Sequence, residues 1–394
     1  MKMSSRISTI VGSGSDGWDL HRRSKAMIAA GTPVIELTVG EHDIGTAPEI
    51  LGAMDAAARA GHIGYSAIPG IPALRAAVAA RMTVTTGVAT GPENIIITPG
   101  GQAALFMAHH AVCDEGDTAL FIEPFYATYP GTIRAVGALP RSVVASAEDG
   151  FQPRTAALAA AAPGGRSLLV NSPNNPTGAV YGRKTLDAIA QVVADHDLWL
   201  ISDEVYDSQV WDGAHLSPRA LPGMAERTLV VGSLSKSHAM TGSRLGWVCA
   251  PPQVVARLCD LATHTTYGIP GFIQHAGLFA LSLGPAFEAE IAAPFRRRRA
   301  LTDQVLAGQN LIRAAPMQGA MYAMLDIRAT GLGGEAFAMA LLDAEHIAVM
   351  PGESFGAATA GHVRVAMTVA DESYVAALQR LVAFAGRLAQ GRAA

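Results

Sequence analysis

Short apolar runs of strand length alternate with helical patterns from residue 47 to residue 263, and no other feature restricts the fold of this chain as tightly. The runs occupy 94–98, 118–123, 167–171, 198–202, 228–232 and 246–250. Helical spacing of apolar residues recurs at 47–60, 71–81, 102–113, 185–195 and 252–263, and an alanine-rich stretch at 155–162 reads as a further helix. Strands that alternate with helices predict an α/β fold, with a mostly parallel sheet covered by helices on both faces. Half of the 394 residues are hydrophobic, enough for a large core, which excludes a disordered chain or a disulfide-stapled miniprotein. From about residue 287 the pattern changes to one long helix and then shorter pieces. The expected organisation is an N-terminal arm over 1–46, a large domain over 47–286 and a smaller C-terminal α/β domain over 287–394, which the arm joins.

Four of the runs end in unusual polar loops. Run 94–98 leads into Pro99-Gly100-Gly101-Gln102 and a helix; run 167–171 leads into Ser172-Pro173-Asn174-Asn175-Pro176-Thr177-Gly178. Run 198–202 ends at Asp203-Glu204-Val205-Tyr206, and run 228–232 at Ser233-Leu234-Ser235-Lys236. In a parallel sheet these carboxyl ends open on one edge, where open α/β sheets place their ligands. The four loops are therefore expected to converge on one crevice.

Charge and cysteine content exclude several other classes. The net charge is −4, which gives no electrostatic footprint for nucleic acid or an anionic membrane. The three cysteines form no CxxC pair, so no metal site is expected and a reducing, cytoplasmic setting is. The N-terminal apolar stretch is too short for a secretory signal. Residues 261–287 carry no charge, but glycine, proline and polar residues interrupt them, and they read as a loop leading into a buried helix rather than a membrane span.

Within the predicted crevice, the Gly100-Gly101 step before a helix suits a phosphate, although taken alone it reads first as a tight strand-to-helix turn. Asp203 follows an apolar strand, so its carboxylate is expected to be semi-buried and in need of a partner; the plain alternative is a structural ion pair. Lys236 lies at another strand end, where a lone lysine is ordinarily a solvated residue. Together a phosphate cradle, a buried carboxylate and a buried amine describe pyridoxal phosphate, which needs an anion site, a partner for its ring nitrogen and a Schiff-base lysine.

These residues also carry a resemblance. Asn171-Ser-Pro-Asn-Asn-Pro-Thr-Gly178, Ser202-Asp-Glu-Val-Tyr206 and Ser233-Leu-Ser-Lys-Ser-His-Ala-Met-Thr-Gly-Ser-Arg-Leu-Gly-Trp247 resemble the class I aminotransferases of the aspartate aminotransferase superfamily. The likeness runs from Val39-Gly-Glu41 to Gly361-His-Val-Arg364, and segments 197–206 and 221–242 are most similar to arginine–pyruvate transaminases. The resemblance implies a fold type I, pyridoxal phosphate-dependent transferase with a seven-stranded sheet. It would move an amino group from an amino acid to a 2-oxo acid by a ping-pong mechanism. It implies that Lys236 holds the cofactor and shuttles the Cα proton, helped by an amine pKa that burial and Arg244 depress. Asp203 would pair with the ring nitrogen, Asn175 and Tyr206 would donate to the ring hydroxyl, and Tyr126 would stack on the ring. Gly101, Gln102, Ser233, Ser235 and Arg244 would hold the phosphate, with Tyr65 arriving from the second subunit of a homodimer. Arg364 and the Gly40 backbone would bind the substrate carboxylate. Cis prolines are expected at Glu123–Pro124 and Asn175–Pro176.

The chain departs from the family in two places: Gly40-Glu-His42-Asp-Ile44 replaces Gly-x-Pro-Asp-Phe, and Ser243 replaces a tryptophan. His42 reads either as a solvated loop residue or as a substrate-side contact. Two other functions remain compatible with the cofactor reading. One is a carbon–sulfur β-lyase on the same scaffold, the other a non-enzymatic sensor, for which the arm leaves no room for a DNA-binding module. Gly12-Ser-Gly14-Ser-Asp-Gly17 matches GxGxxG, but Asp16 and Asp19 would repel a pyrophosphate, so a flexible arm is expected instead. Arg296–Arg299 point around a helix and are expected to be solvated; His109, His110 and His238 read as core or surface histidines.

Overall fold

The computed structural model of this protein describes Met1 and residues 3–12 and 18–393. Gly14, Asp16 and Gly17 of the GxGxxG match lie outside the described residues.

Among the described residues twelve strands form two sheets: β1 (Ile35–Leu37), β2 (Ile95–Thr98), β3 (Thr118–Glu123), β4 (Leu139–Val144), β5 (Gly165–Asn171), β6 (Trp199–Asp203), β7 (Thr228–Ser233), β8 (Gly246–Cys249), β9 (Arg313–Ala314), β10 (Tyr322–Asp326), β11 (Ile347–Pro351) and β12 (His362–Ala366). The larger sheet has seven strands in the order β2-β8-β7-β6-β5-β3-β4. All run parallel except β8, which is antiparallel to both neighbours. Only residues 234–245 separate β7 from β8, and a right-handed parallel crossover needs a covering helix that this segment does not supply. Instead the segment makes the short helix Leu234–Ser237 and returns. β4 was not among the runs legible in the sequence. It contains Pro140 and Arg141, is largely exposed, and lies at the sheet edge, where a proline and a charge are tolerated.

Successive side chains alternate between two layers. On one face Phe121, Leu169, Ile201 and Leu229 pack under the helices Gly100–Val112 and Pro252–Thr263. On the other, Leu120, Ile122, Leu168, Val170 and Leu200 pack against Thr155–Ala161 and Arg183–Asp195. The chain thus has the α/β fold expected of it.

The five-stranded second sheet has the order β1-β11-β12-β10-β9. β1, from the N-terminal region, pairs parallel with β11 through Ile35 and Ile347. Helix Gly284–Leu306 leaves helix Gly271–Ser282 at 92° and runs to this sheet. Among the described residues no single helix is long and apolar enough to cross a membrane. Arg298 on that long helix corrects the expectation of a solvated arginine run. It is 4% exposed and donates to both oxygens of Asp43 at 2.9 and 2.6 Å, and to Asp371 at 2.8 Å. Four successive residues sample every side of a helix, so one of them had to face inward.

Candidate active site

A cavity of about 290 Å³ opens where the carboxyl ends of β2, β5, β6 and β7 face the second sheet. Each polar loop places its side chains there for a local reason. After β2 the chain turns at Gly100, with φ +80°, into helix Gly100–Val112; a Cβ on Gly100 would lie 2.3 Å from Nη2 of Arg244. The bare backbone therefore lets the guanidinium approach the helix N-terminus. After β7, Ser233 Oγ accepts from Ser235 N at 3.1 Å and donates to Leu245 O, capping the turn that carries Lys236. Arg244 donates only to main-chain oxygens of Thr241 and Pro99, and no carboxylate pairs with it among the described residues.

After β5, Asn171 Oδ1 accepts from Asn175 N at 2.8 Å, while Asn171 Nδ2 donates to Asp203 O at 3.0 Å. The neighbouring strand ends are thus tied together. Cis peptides occur at Glu123–Pro124 and at Ser172–Pro173, so the one expected at Asn175–Pro176 is corrected. Residues 174–178 make a turn in which Gly178 N donates to Asn174 O and Thr177 to Asn174 Oδ1, and the Asn175–Pro176 peptide within it is trans.

Asp203, 4% exposed, accepts a 2.6 Å hydrogen bond from Tyr129 Oη. Burial raises its carboxyl to about 6, against the hydrogen bonds from Tyr129 and the Val205 N–H. The Lys236 amine contacts Gly40 O, and burial lowers it to about 8; Glu41 opposes the shift while Arg364 and Arg244 add to it. Arg364 on β12 is 4% exposed, donates to Asn175 Oδ1 at 2.7 Å and to Thr38 O, and lies over the rings of Tyr322 and Phe355 at 4.4 and 4.6 Å. It has no carboxylate partner among the described residues, and its Nε is buried without an acceptor.

The cavity is lined by Gly40, Gly101, Gln102, Tyr126, Asn175, Asp203, Tyr206, Ser233, Ser235, Lys236, Arg244 and Arg364, so the structure brings these sequence candidates together. Tyr65 is not among them: it is 92% exposed and meets Tyr267 edge-on at 5.2 Å. His42 is neither solvated nor in the lining. Its ring is buried edge-on against Phe295 at 5.2 Å, because the loop that carries it is drawn inward by the Asp43–Arg298 pair. Ser243 is buried and also outside the lining. Sequence reasoning missed Tyr129 and Tyr322. Tyr322 Oη lies 2.8 Å from Tyr206 Oη and 3.4 Å from Asn175 Nδ2. Both read as ordinary core aromatics, and nothing local marks them.

The donor set fits pyridoxal phosphate. A guanidinium without a carboxylate partner, two serine hydroxyls and a glycine-opened helix N-terminus suit a phosphate; a buried carboxylate and a depressed amine line the same cavity and are the groups that the ring nitrogen and the Schiff base need. The buried, unpaired Arg364 suits a substrate carboxylate.

Comparison with known proteins leads to the same cofactor. Residues 32–381 match the family described as aminotransferase class I and II. The chain is 40% identical to the arginine–pyruvate transaminase AruH of Pseudomonas aeruginosa, covering 98% of this chain and 99% of that protein. It is 35% identical to the aspartate/prephenate aminotransferase of Thermus thermophilus, over 91% and 92% of the two chains. The structure of the Thermus thermophilus aspartate aminotransferase with maleate superposes with a TM-score of 0.91 at 33% identity, over 98% and 100%. The chain therefore belongs to the class I and II aminotransferases, pyridoxal phosphate-dependent enzymes of fold type I.

Proposed function

We propose that this aminotransferase takes the amino group of an L-amino acid with a cationic side chain, arginine first, and passes it to a 2-oxo acid such as pyruvate in two successive half-reactions. The observation that carries the reading is the distribution of charge around Lys236. Among the described residues Arg364 and Arg244 lack carboxylate partners, Asp203 is held by Tyr129, and Glu41 lines the same cavity with its carboxylate accepting from Thr241 Oγ1 at 2.8 Å.

When bound, pyridoxal phosphate supplies an electrophilic carbon for the substrate amine and a ring that draws the Cα electron pair away. Lys236 would hold it, with Arg244, Ser233, Ser235, Gly101 and Gln102 on its phosphate, Asp203 on its ring nitrogen, Asn175 and Tyr206 on its ring hydroxyl and Tyr126 over its face. Arg364 grips the substrate carboxylate with two parallel N–H donors, beside the Gly40 backbone, which aims the Cα–H bond at Lys236. The lysine amine, lowered to about 8, takes that proton and returns it. Glu41 is a carboxylate that none of these roles uses, and a guanidinium side chain would pair with it. The 40% identity to a relative named as an arginine–pyruvate transaminase supports the same donor and acceptor. The exposed Tyr65–Tyr267 pair supports a homodimer in which Tyr65 reaches the phosphate of the neighbouring copy.

Titration of the cofactor-loaded protein with single amino acids, in the absence of any 2-oxo acid, tests the reading. Arginine is expected to bleach the cofactor's visible band at lower concentration than aspartate, phenylalanine or alanine, and pyruvate to restore it. Lys236→Ala should abolish turnover while leaving the fold intact, as read by far-ultraviolet circular dichroism. Bleaching by aspartate but not arginine would overturn the donor. Steady ammonia release without an acceptor would overturn the transfer.

A further inference from the structure

Arg81 lies on helix Pro72–Thr86, outside the cavity, yet two carboxylates converge on it. Its Nη2 is 2.8 Å from Asp207 Oδ2 and 3.1 Å from Glu288 Oε2, and its Nη1 contacts Glu288 Oε1. Asp207 follows Tyr206 directly. Glu288 stands at the start of the long helix Gly284–Leu306 and lies 3.9 Å, through Oε1, from Nε2 of His238. His238 is two residues past Lys236 and has no exposed surface; its Nδ1 is 2.8 Å from Ser237 Oγ, its Nε2 is 3.1 Å from Ala280 O, and its ring stacks on Phe287. From the other side Gln209 Nε2 donates to Lys236 O at 3.3 Å.

We propose that Arg81 is a positioning residue, which through Asp207 and through Glu288 and His238 sets Lys236 and Tyr206 at a fixed separation across the cavity. The proposal rests on the roles given to those two residues above. Desolvating one guanidinium and two carboxylates is costly, and apolar side chains of the same volume would fill such a site at no loss of stability. An apolar set, however, slides; a planar guanidinium bonded to two carboxylates has only one arrangement. Asp207 sits one residue past Tyr206, and Glu288, on a different element, lies against the ring of His238, two residues past Lys236. The guanidinium therefore transmits the position of one strand end to the other. Proton transfer is sensitive to errors of this kind, since a displacement near 1 Å can cost a hundredfold in rate.

The test uses the cofactor-loaded enzyme and the variants Arg81→Met, Arg81→Lys and Glu288→Gln. Arg81→Met is expected to lower kcat about tenfold or more while the KM of the amino donor moves less than about twofold, and to change the circular dichroism of the bound cofactor in the visible. Arg81→Lys keeps the charge and should recover part of kcat. Variants that only lower the melting temperature, with kcat and visible dichroism at wild-type values, would overturn the proposal and leave a structural ion cluster. Should Arg81→Met fail to fold, Glu288→Gln, which keeps the shape and removes one charge, decides by the same two readouts. Wild-type enzyme that transfers no amino group would instead overturn the functional reading.

Discussion

A lysine amine in water has a pKa of ~10.4, so at neutral pH roughly one in 2,500 is free to act as a base or nucleophile. Lys236 escapes that limit because it is buried beside two guanidinium groups, and Glu41 recovers only part of the shift. The sign of the effect is testable on cofactor-free protein. Only the neutral amine captures pyridoxal phosphate, so the capture rate, followed by visible absorbance, should rise about tenfold per pH unit below pH 8 and level off above it. An ordinary lysine would keep accelerating beyond pH 10. Lys236 and Asp203 were visible as candidates because each ends a strand-length apolar run. Tyr322 was not, because its meaning comes from Tyr206, Asn175 and Arg364, all distant in the chain.

At the level of elements, the loop that starts at Gly40 is fastened from several directions. Gly40 O meets Lys236, Glu41 meets Thr241, and Asp43 meets Arg298 on helix Gly284–Leu306, which in turn holds Asp371. Loss of the buried cation leaves two partly buried carboxylates facing each other. Arg298→Met should therefore lower unfolding free energy by about 3 kcal/mol in urea titrations and raise the KM of the amino donor, since Gly40 loses its support. Unchanged KM would separate the loop from substrate binding. The helices and central strands were readable from apolar periodicity, whereas the reversal of β8 was not. A buried antiparallel strand carries the same apolar run as a parallel one, and only the length of the connection distinguishes them.

At the scale of the whole molecule, burial disfavours the charged form of His42, His109 and His238 among the described residues. His42, His109 and His238 are each pushed down to about 4, by burial first; Lys236 adds to the shift at His42 and Arg81 to that at His238. The unfolded chain takes up these protons near pH 6.5 and the folded chain only near 4. Stability is therefore full above about pH 6.5, falls between 6.5 and 4 by up to ~1.4 kcal/mol per pH unit for each histidine, and levels off below. Asp203, which burial raises to about 6, takes up its proton first in the folded chain and offsets about one histidine's share below that pH, so urea midpoints between pH 7.5 and 4.5 should fall by the net of these groups. Among the described residues His109 has no polar partner for either ring nitrogen, so His109→Phe is expected to keep the fold and flatten the dependence.

By itself the sequence determined what depends on neighbours along the chain: the α/β alternation, the polar loops at the ends of β2, β5, β6 and β7, and the residue types those loops carry. Such features arise from local sterics, apolar periodicity and turn chemistry, which a few consecutive residues are enough to express. Only the tertiary structure decided which of four successive arginines turns inward, which tyrosines join Asp203 and Tyr206, where the second cis proline falls, and that Arg81 stands between Asp207 and Glu288. Each of those outcomes is set by desolvation and by partners far apart in the chain. The energy of a charge or hydroxyl depends on what packing brings against it, and no stretch of contiguous sequence records that.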